Sequence, residues 1–359
     1  MARNIVICCD GTGNTFSEMN TNVAKLASVL EQDPATQIVF YDPGLGTIGA
    51  PGAWTKVAQW FTKILGLAFG FGLWQNIEDA YLYLMNHYEV GDRVFLFGFS
   101  RGAYTVRSVA GLLRLIGLLR RGNDNLVRHV VEMFKRTDSK TFGIAPKFKA
   151  VFSRECKPYF VGIWDTVSSV GWIYDPVKLP YTRSNPDIQV GRHAISIDER
   201  RCFFRQNLWG PPEAGQDLKQ VWFAGVHSDV GGGYPEKESG LSKISLEWVV
   251  REAMNAGLVV DDAKLDKILG RTDDRYARAN ASGLMHKSLR GFWKVLEFWP
   301  KRYVNMRKDP PVTEWKIPRS EARWIAEGSL IHETVFGRKR ALGGGYEPSN
   351  LPKQYVTES

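Results

Sequence analysis

The chain has 359 residues, 44% of them apolar, and a formal net charge of +9. That length suits one large α/β domain with insertions or two smaller domains, and the apolar share is ample for a buried core. The positive balance favours acidic partners such as nucleic acid or an anionic membrane surface, while Cys8, Cys9, Cys156 and Cys202 show no CxxC spacing or pairing ladder, so neither a disulfide scaffold nor a zinc site is indicated.

The first element is the apolar run "NIVICC" (4–9), read as a buried strand. It is too short for a signal h-region and no small-residue cleavage site follows. The expectation is a chain made in the cytoplasm without a cleaved leader, with membrane association or leaderless secretion as the routes open to it. A helix pattern follows at 21–32, then a strand at 37–42. Residues 43–72 begin glycine-rich and become strongly apolar, interrupted by Lys63. This insertion is too short for a membrane span and reads as a buried helix or a lid, with Trp60, Phe61, Leu65 and Phe69 as lid or lipid-facing candidates.

A helix at 73–88 leads into a strand at 93–99, and a helix at 104–119 follows it. Further strands are expected at 158–165 and 220–227, and a helix at 245–258. Runs of near-continuous apolar residues alternating with helical patterns predict an α/β fold, a mainly parallel sheet covered by helices. Residues 1–245 are expected to form this core, and 246–359 a helical or irregular C-terminal region packed on it. The stretch "LRGFWKVLEFWPKRY" (289–303) mixes aromatic and basic residues. It reads either as an interfacial patch carried by Trp293, Phe298, Trp299, Lys294, Lys301 and Arg302 or as an ordinary packed helix.

An open parallel sheet places functional residues at the carboxyl ends of its strands. Those ends carry Asp10-Gly11-Thr12-Gly13, Gly98-Phe99-Ser100-Arg101-Gly102, Asp165 and His227-Ser228-Asp229. A nucleophile, an acid and a base thus arrive in the chain order of α/β-hydrolase triads. Ser100 lies on a strand-to-helix turn where flanking glycines permit close approach, and is the candidate nucleophile; a purely structural glycine corner is the alternative. His227 is the candidate base, with a satisfied core histidine as the alternative. Asp165 is the favoured acid, and Asp10 and Asp229 are the supporting or alternative acids. The amide of Arg101, with that of Gly11 or Thr12, would line an oxyanion hole.

The ordered segments "CCDGTGNT", "TNVAKL", "YDPGLGT", "NIEDAYLYL", "GDRVFLFGFSRGAYTVRSVAGLL", "VGIWDTVSSVG", "HAISIDERR" and "FAGVHSDVGGGY" closely resemble the uncharacterised α/β-hydrolase domain family that includes the type VI secretion phospholipase effectors. The late "IHETVFGR…YEPSNLP" is similar to that family's ending. The resemblance implies an α/β-hydrolase core, a Ser–Asp–His esterase mechanism with no cofactor, and a phospholipid ester as substrate. Ser100, Asp165 and His227 match the family's nucleophile, acid and base. The rival function is a non-catalytic membrane- or partner-binding module on the same fold. A third reading has Asp10, Asp165 and Asp229 converging on a divalent ion. No zinc-finger, RRM or helix-turn-helix signature accompanies the basic clusters, so no nucleic-acid partner is expected.

Overall fold

The protein is described by a computed structural model that covers residues 2–11, 20–44, 72–136, 138–167, 171–172, 175–176, 179–305, 308 and 312–359. Trp60, Phe61, Leu65 and Phe69, the rest of the insertion at 45–71, and Thr12 lie outside the described residues.

Eight strands form the central sheet: β1 (Asn4–Cys9), β2 (Gln37–Asp42), β3 (Arg93–Phe99), β4 (Pro158–Trp164), β5 (Val190–Ser196), β6 (Asp217–Phe223), β7 (Ser329–His332) and β8 (Tyr355–Glu358). Their order is β2-β1-β3-β4-β5-β6-β7-β8, and every neighbouring pair is parallel. The buried strands read as continuous apolar runs because both faces are covered. Along β1, Ile5, Ile7 and Cys9 point into one hydrophobic cluster, whereas Val6 and Cys8 point into the other.

The first cluster is roofed by α2 (Leu73–His87), α3 (Arg101–Ile116), α4 (Asp124–Lys135) and α5 (Ser139–Phe152). On the opposite face lie α1 (Asn22–Val29), the short α6 (His227–Gly231), α7 (Gly240–Asn255) and α8 (Asp262–Ile268). Helix α9 (Phe292–Leu296) precedes an antiparallel hairpin, Lys301–Asn305 with Val312–Lys316, and α10 (Glu333–Ala341) packs on a third, smaller cluster. The chain moves to one side of β1 to make β2 and to the other side to make β3 onward, so a switch point lies between β1 and β3. Crevices at such points, outside the strands' carboxyl ends, are where α/β sheets place their sites.

Three details differ from the sequence reading. Strand β5 was hidden because Arg192 and His193 interrupt its apolar pattern. Both are buried, and Arg192 is neutralised by Asp217 and Glu252, each at 2.5 Å. The C-terminal residues supply helices, much irregular chain and also the last two strands of the sheet, β7 and the edge strand β8, whose four-residue lengths carry little periodic signal. The division placed at 245/246 falls inside α7. Finally, the strand expected to run through His227 stops at Phe223. Gly225 turns the chain at φ 116°, and the Asp229 carboxylate accepts from the Val226 amide at 3.1 Å, which starts α6 with His227 as its first residue.

Two glycines decide whether α3 can meet the sheet. A Cβ on Gly102 would lie 2.0 Å from the Cys9 carbonyl oxygen, and one on Gly98 would lie 2.5 Å from that of Gly102. The backbones of β1, β3 and α3 therefore touch directly at the switch point. We expect Gly102→Ala to lower stability by about 1–3 kcal/mol through overpacking. Gly143→Ala, in α5 with no atom near the added methyl, should instead raise it by about 0.5–1 kcal/mol. Paired thermal melts check both signs.

Candidate active site

Ser100 follows β3 and immediately precedes α3, with φ 58° and ψ −116°. A non-glycine residue held there stores roughly 1–3 kcal/mol. The ladder carries the strain: the Ser100 amide donates to the Trp164 carbonyl at 3.0 Å, and the Asp165 amide to that of Ala194 at 2.7 Å. These bonds align the ends of β3, β4 and β5. The turn lifts the Ser100 hydroxyl above the sheet, at the amino end of a 16-residue helix. The free amides and dipole there favour negative charge.

His227 reaches back over the end of β5 to the serine. Its Nε2 is 2.9 Å from Ser100 Oγ, and its Nδ1 is 2.5 Å from Asp165 Oδ2. Small Ser196 closes β5 beneath it and gives Asp165 Oδ1 two hydrogen bonds, from its amide at 2.9 Å and its hydroxyl at 3.1 Å. Arg323 clamps the same carboxylate with both terminal nitrogens, at 2.5 and 3.0 Å. Asp165 is fully buried, and burial alone would raise its pKa. The Arg323 charge and the His227 hydrogen bond outweigh that and hold it below the carboxylate range. An ionised Asp165 fixes the proton of His227 on Nδ1 and leaves Nε2 as the acceptor for the serine hydroxyl. Burial also lowers the His227 pKa, although Asp165 opposes the shift.

The imidazole is packed between Phe99 and Phe204, with ring centroids 4.6 and 4.8 Å away. A strap at residues 286–288 holds its backbone from two sides. Glu199 accepts from the His227 amide at 3.2 Å and from Ser288 Oγ at 3.0 Å, while Arg201 pairs with it at 2.9 Å. Two residues on, Asp229 accepts from His286 Nδ1 at 2.6 Å.

Of the sequence candidates, Ser100, Asp165 and His227 come together as one hydrogen-bonded chain, and Arg101 begins α3 beside them. Asp229 does not join it, being engaged by His286 and the Val226 amide. Asp10 holds its own loop, accepting from Thr21 Oγ1 at 2.5 Å, Tyr41 Oη at 3.0 Å and the Gly11 amide at 2.6 Å. The Gly11 amide, expected to face an oxyanion, is thus turned to its neighbour's carboxylate. Asp10, Asp165 and Asp229 have separate partners, and among the described residues no group of three His, Cys, Asp or Glu side chains gathers around a metal position.

Sequence reasoning missed Arg323 and Ser196. Arg323 is 158 residues from Asp165 in sequence, and no motif marked it. Glu199 and Arg201 fall inside "HAISIDERR", a segment that signalled the family without revealing a task.

Residues 3–252 match the family described as "T6SS, Phospholipase effector Tle1-like, catalytic domain". The chain belongs to this family. Over 226 residues it is 37% identical to uncharacterized protein YEL023C of Saccharomyces cerevisiae (strain ATCC 204508 / S288c), a match covering 58% of this chain and 33% of that protein. Among solved structures it is similar to an uncharacterized protein from Pseudomonas aeruginosa, at 20% identity and TM-score 0.42, covering 72% of this chain and 46% of that one. It is also similar to a Tle1 effector bound to the VgrG spike of the type 6 secretion system, at 19% identity and TM-score 0.36, covering 67% and 53%. The chain therefore spans a third of its curated relative and about half of each solved one. The family assignment rests on residues 3–252, which contain Ser100, Asp165 and His227.

Within this Tle1-like site the weight falls on Arg323. Arg323→Met should strand a buried carboxylate and cost about 3–5 kcal/mol at pH 7. The sign with pH follows from the lowered Asp165 pKa: its contribution is present above the unfolded value, ~4, and is lost as pH falls through the folded one. Wild type should therefore lose more stability than Arg323→Met between about pH 4 and 2. Urea midpoints across that window measure the difference.

Proposed function

We propose that the protein is a serine esterase acting on lipid esters, a phospholipase, with Ser100 as nucleophile, His227 as general base and Asp165 as its orienting acid. The observation that carries this reading is the 2.9 Å contact between Ser100 Oγ and the Nε2 of a histidine whose Nδ1 faces buried Asp165. Membership of a phospholipase effector family supports the lipid ester as substrate class.

In the proposed reaction Ser100 Oγ attacks the ester carbonyl while His227 Nε2 takes the hydroxyl proton. Asp165 remains ionised and stabilises the imidazolium. The oxyanion forms at the amino end of α3, where the Arg101 amide is the donor that follows the nucleophile. His227 then protonates the leaving alcohol. A water molecule, deprotonated by the same Nε2, attacks the acyl-serine; the acyl C–Oγ bond breaks, the imidazolium returns its proton to Ser100 Oγ, and the fatty acid leaves. Phe99 and Phe204 shield the imidazole from water and strengthen these contacts.

A fluorophosphonate probe should label wild type, and labelling should vanish in Ser100→Ala and His227→Ala. Either substitution should lower kcat on an ester panel by about 10⁴–10⁶-fold. Undiminished labelling of a folded Ser100→Ala protein would overturn the assignment. A folded wild type that never labels would favour a binding module. Because burial lowers the His227 pKa, the base stays neutral at pH 7. The acid limb of kcat/KM should therefore have its midpoint below ~6.5, and a midpoint above that value would contradict the proposed base.

A further inference from the structure

Two thirds of the chain's formal charge surplus sits in one short segment. Between Leu284 and Arg319 there are nine Lys and Arg against three Asp and Glu, a local balance of +6 in a chain of +9, with six aromatic residues interspersed. This segment comprises α9, the hairpin and its flanks. Cross-strand pairing sets Arg302 opposite Trp315 and Lys301 opposite Lys316. Lys301 faces inward: it is buried against the Phe203 ring, and its Nζ lies 2.8 Å from Cys202 Sγ. Arg302 and Trp315, one residue along each strand, face outward and are exposed. Trp315 is 63% exposed, Phe298 68% and Trp299 56%. Lys287, Arg290, Lys294 and Arg319 of the same segment are exposed as well. Large apolar side chains presented together on a soluble surface mark an interaction site.

The inner side of the same platform rests on the loop that holds the candidate base. The Trp293 ring meets Phe204 edge-on at 5.5 Å, and Phe204 in turn packs on His227. Glu297 Oε1 accepts from the Cys202 amide at 2.7 Å, and its Oε2 from the Ser320 amide at 3.0 Å. Ser288 joins the start of the segment to His227 through Glu199. One face of the platform is thus fixed to the site while the other presents tryptophan, phenylalanine and cations outward.

We propose that this outer face docks on the headgroup region of an anionic lipid bilayer and presents the Ser100 crevice to lipid esters there. The inference rests on the lipid-ester reading and names the surface through which that reading operates. Exposed tryptophans beside a basic cluster are the combination that binds an interface, one part entering the headgroup layer and the other attracted by anionic lipid. Charge argues against two other occupants. Residues 45–71 of this chain contain two lysines and no acid, and a second copy paired face to face would bring the same basic face.

The experiment uses the full chain carrying Ser100→Ala, so that vesicles are bound but not consumed. It compares phosphatidylcholine vesicles with vesicles holding about one third phosphatidylglycerol. We expect binding to the anionic vesicles, weakening as salt rises, and about tenfold or greater loss in both Trp299→Ala/Trp315→Ala and Lys294→Glu/Arg302→Glu. In the active chain the same pairs should retain hydrolysis of a soluble short-chain ester and lose it on vesicles. The proposal is overturned if either pair binds anionic vesicles as tightly as its parent, or if binding ignores both lipid charge and salt. It is equally overturned if the pairs alter only self-association or nucleic-acid binding. Fluorophosphonate labelling needs no vesicle, and vesicle binding needs no nucleophile, so failure of the docking surface and failure of the esterase reading are separable.

Discussion

Asp165 is a carboxylate with no access to water, and much of the molecule is arranged around keeping it ionised. An unpaired charge at that depth would cost several kcal/mol and would neutralise itself by taking a proton. The protein instead surrounds it with donors from different parts of the chain: His227 from α6, Ser196 from the end of β5 and Arg323 from the C-terminal third. Arg323 is itself buried and also donates to the Ser196 and Phe204 carbonyls. The loop whose Phe204 packs on the imidazole is therefore fixed by the cation that neutralises the acid. Removing Arg323 would leave the buried carboxylate without its clamp of full positive charge, which makes the cluster a constraint on the fold as well as on the site.

The second constraint is steric. The turn at Ser100 works only if α3 starts directly at the serine, which brings its first turn against the end of β1. Gly98 and Gly102 remove the methyl groups that would forbid this. The same contact sets the Asp10–Gly11 corner beside Ser100, where Asp10 is held by Thr21 and Tyr41. Backbone strain at Ser100 is stored here because sheet hydrogen bonds on one side and a buried helix on the other over-determine the turn. The burial of nearly all of α3, Arg107 included, gives the helix no freedom to relax it.

Much of this was legible in the sequence because the relevant residues lie next to unmistakable strands. Ser100 and Asp165 directly follow apolar runs, and the switch-point rule turns such positions into candidates. His227 was found for the same reason, although the strand stops at Phe223 and Gly225 carries the chain into α6. Strand β5 was not legible, because a buried arginine paired with two acids looks in sequence like a surface charge. Arg323 was not legible either. Nothing local distinguishes an arginine that will cross the sheet's end to reach a carboxylate. The roles of Asp10 and Asp229 were separable only by geometry, since chain position placed both beside the site while their hydrogen bonds point elsewhere.

The C-terminal residues complete what the family match begins. The matched region, residues 3–252, holds the serine, the acid and the histidine. Further groups that hold them lie beyond it: His286 on Asp229, Ser288 on Glu199, Glu297 on the Cys202 amide and Arg323 on Asp165. A carboxylate whose counter-charge comes from so distant a segment can stay ionised once buried only if that segment has docked. The state of Asp165 therefore reports on assembly of the whole chain. Without Arg323 the charge that most lowers the Asp165 pKa would be gone, and the carboxylate's hold on the Nδ1 proton of His227 would weaken. The chemistry proposed for the first two thirds of the sequence is thus conditional on packing of the last third, and the exposed basic platform belongs to that same last third.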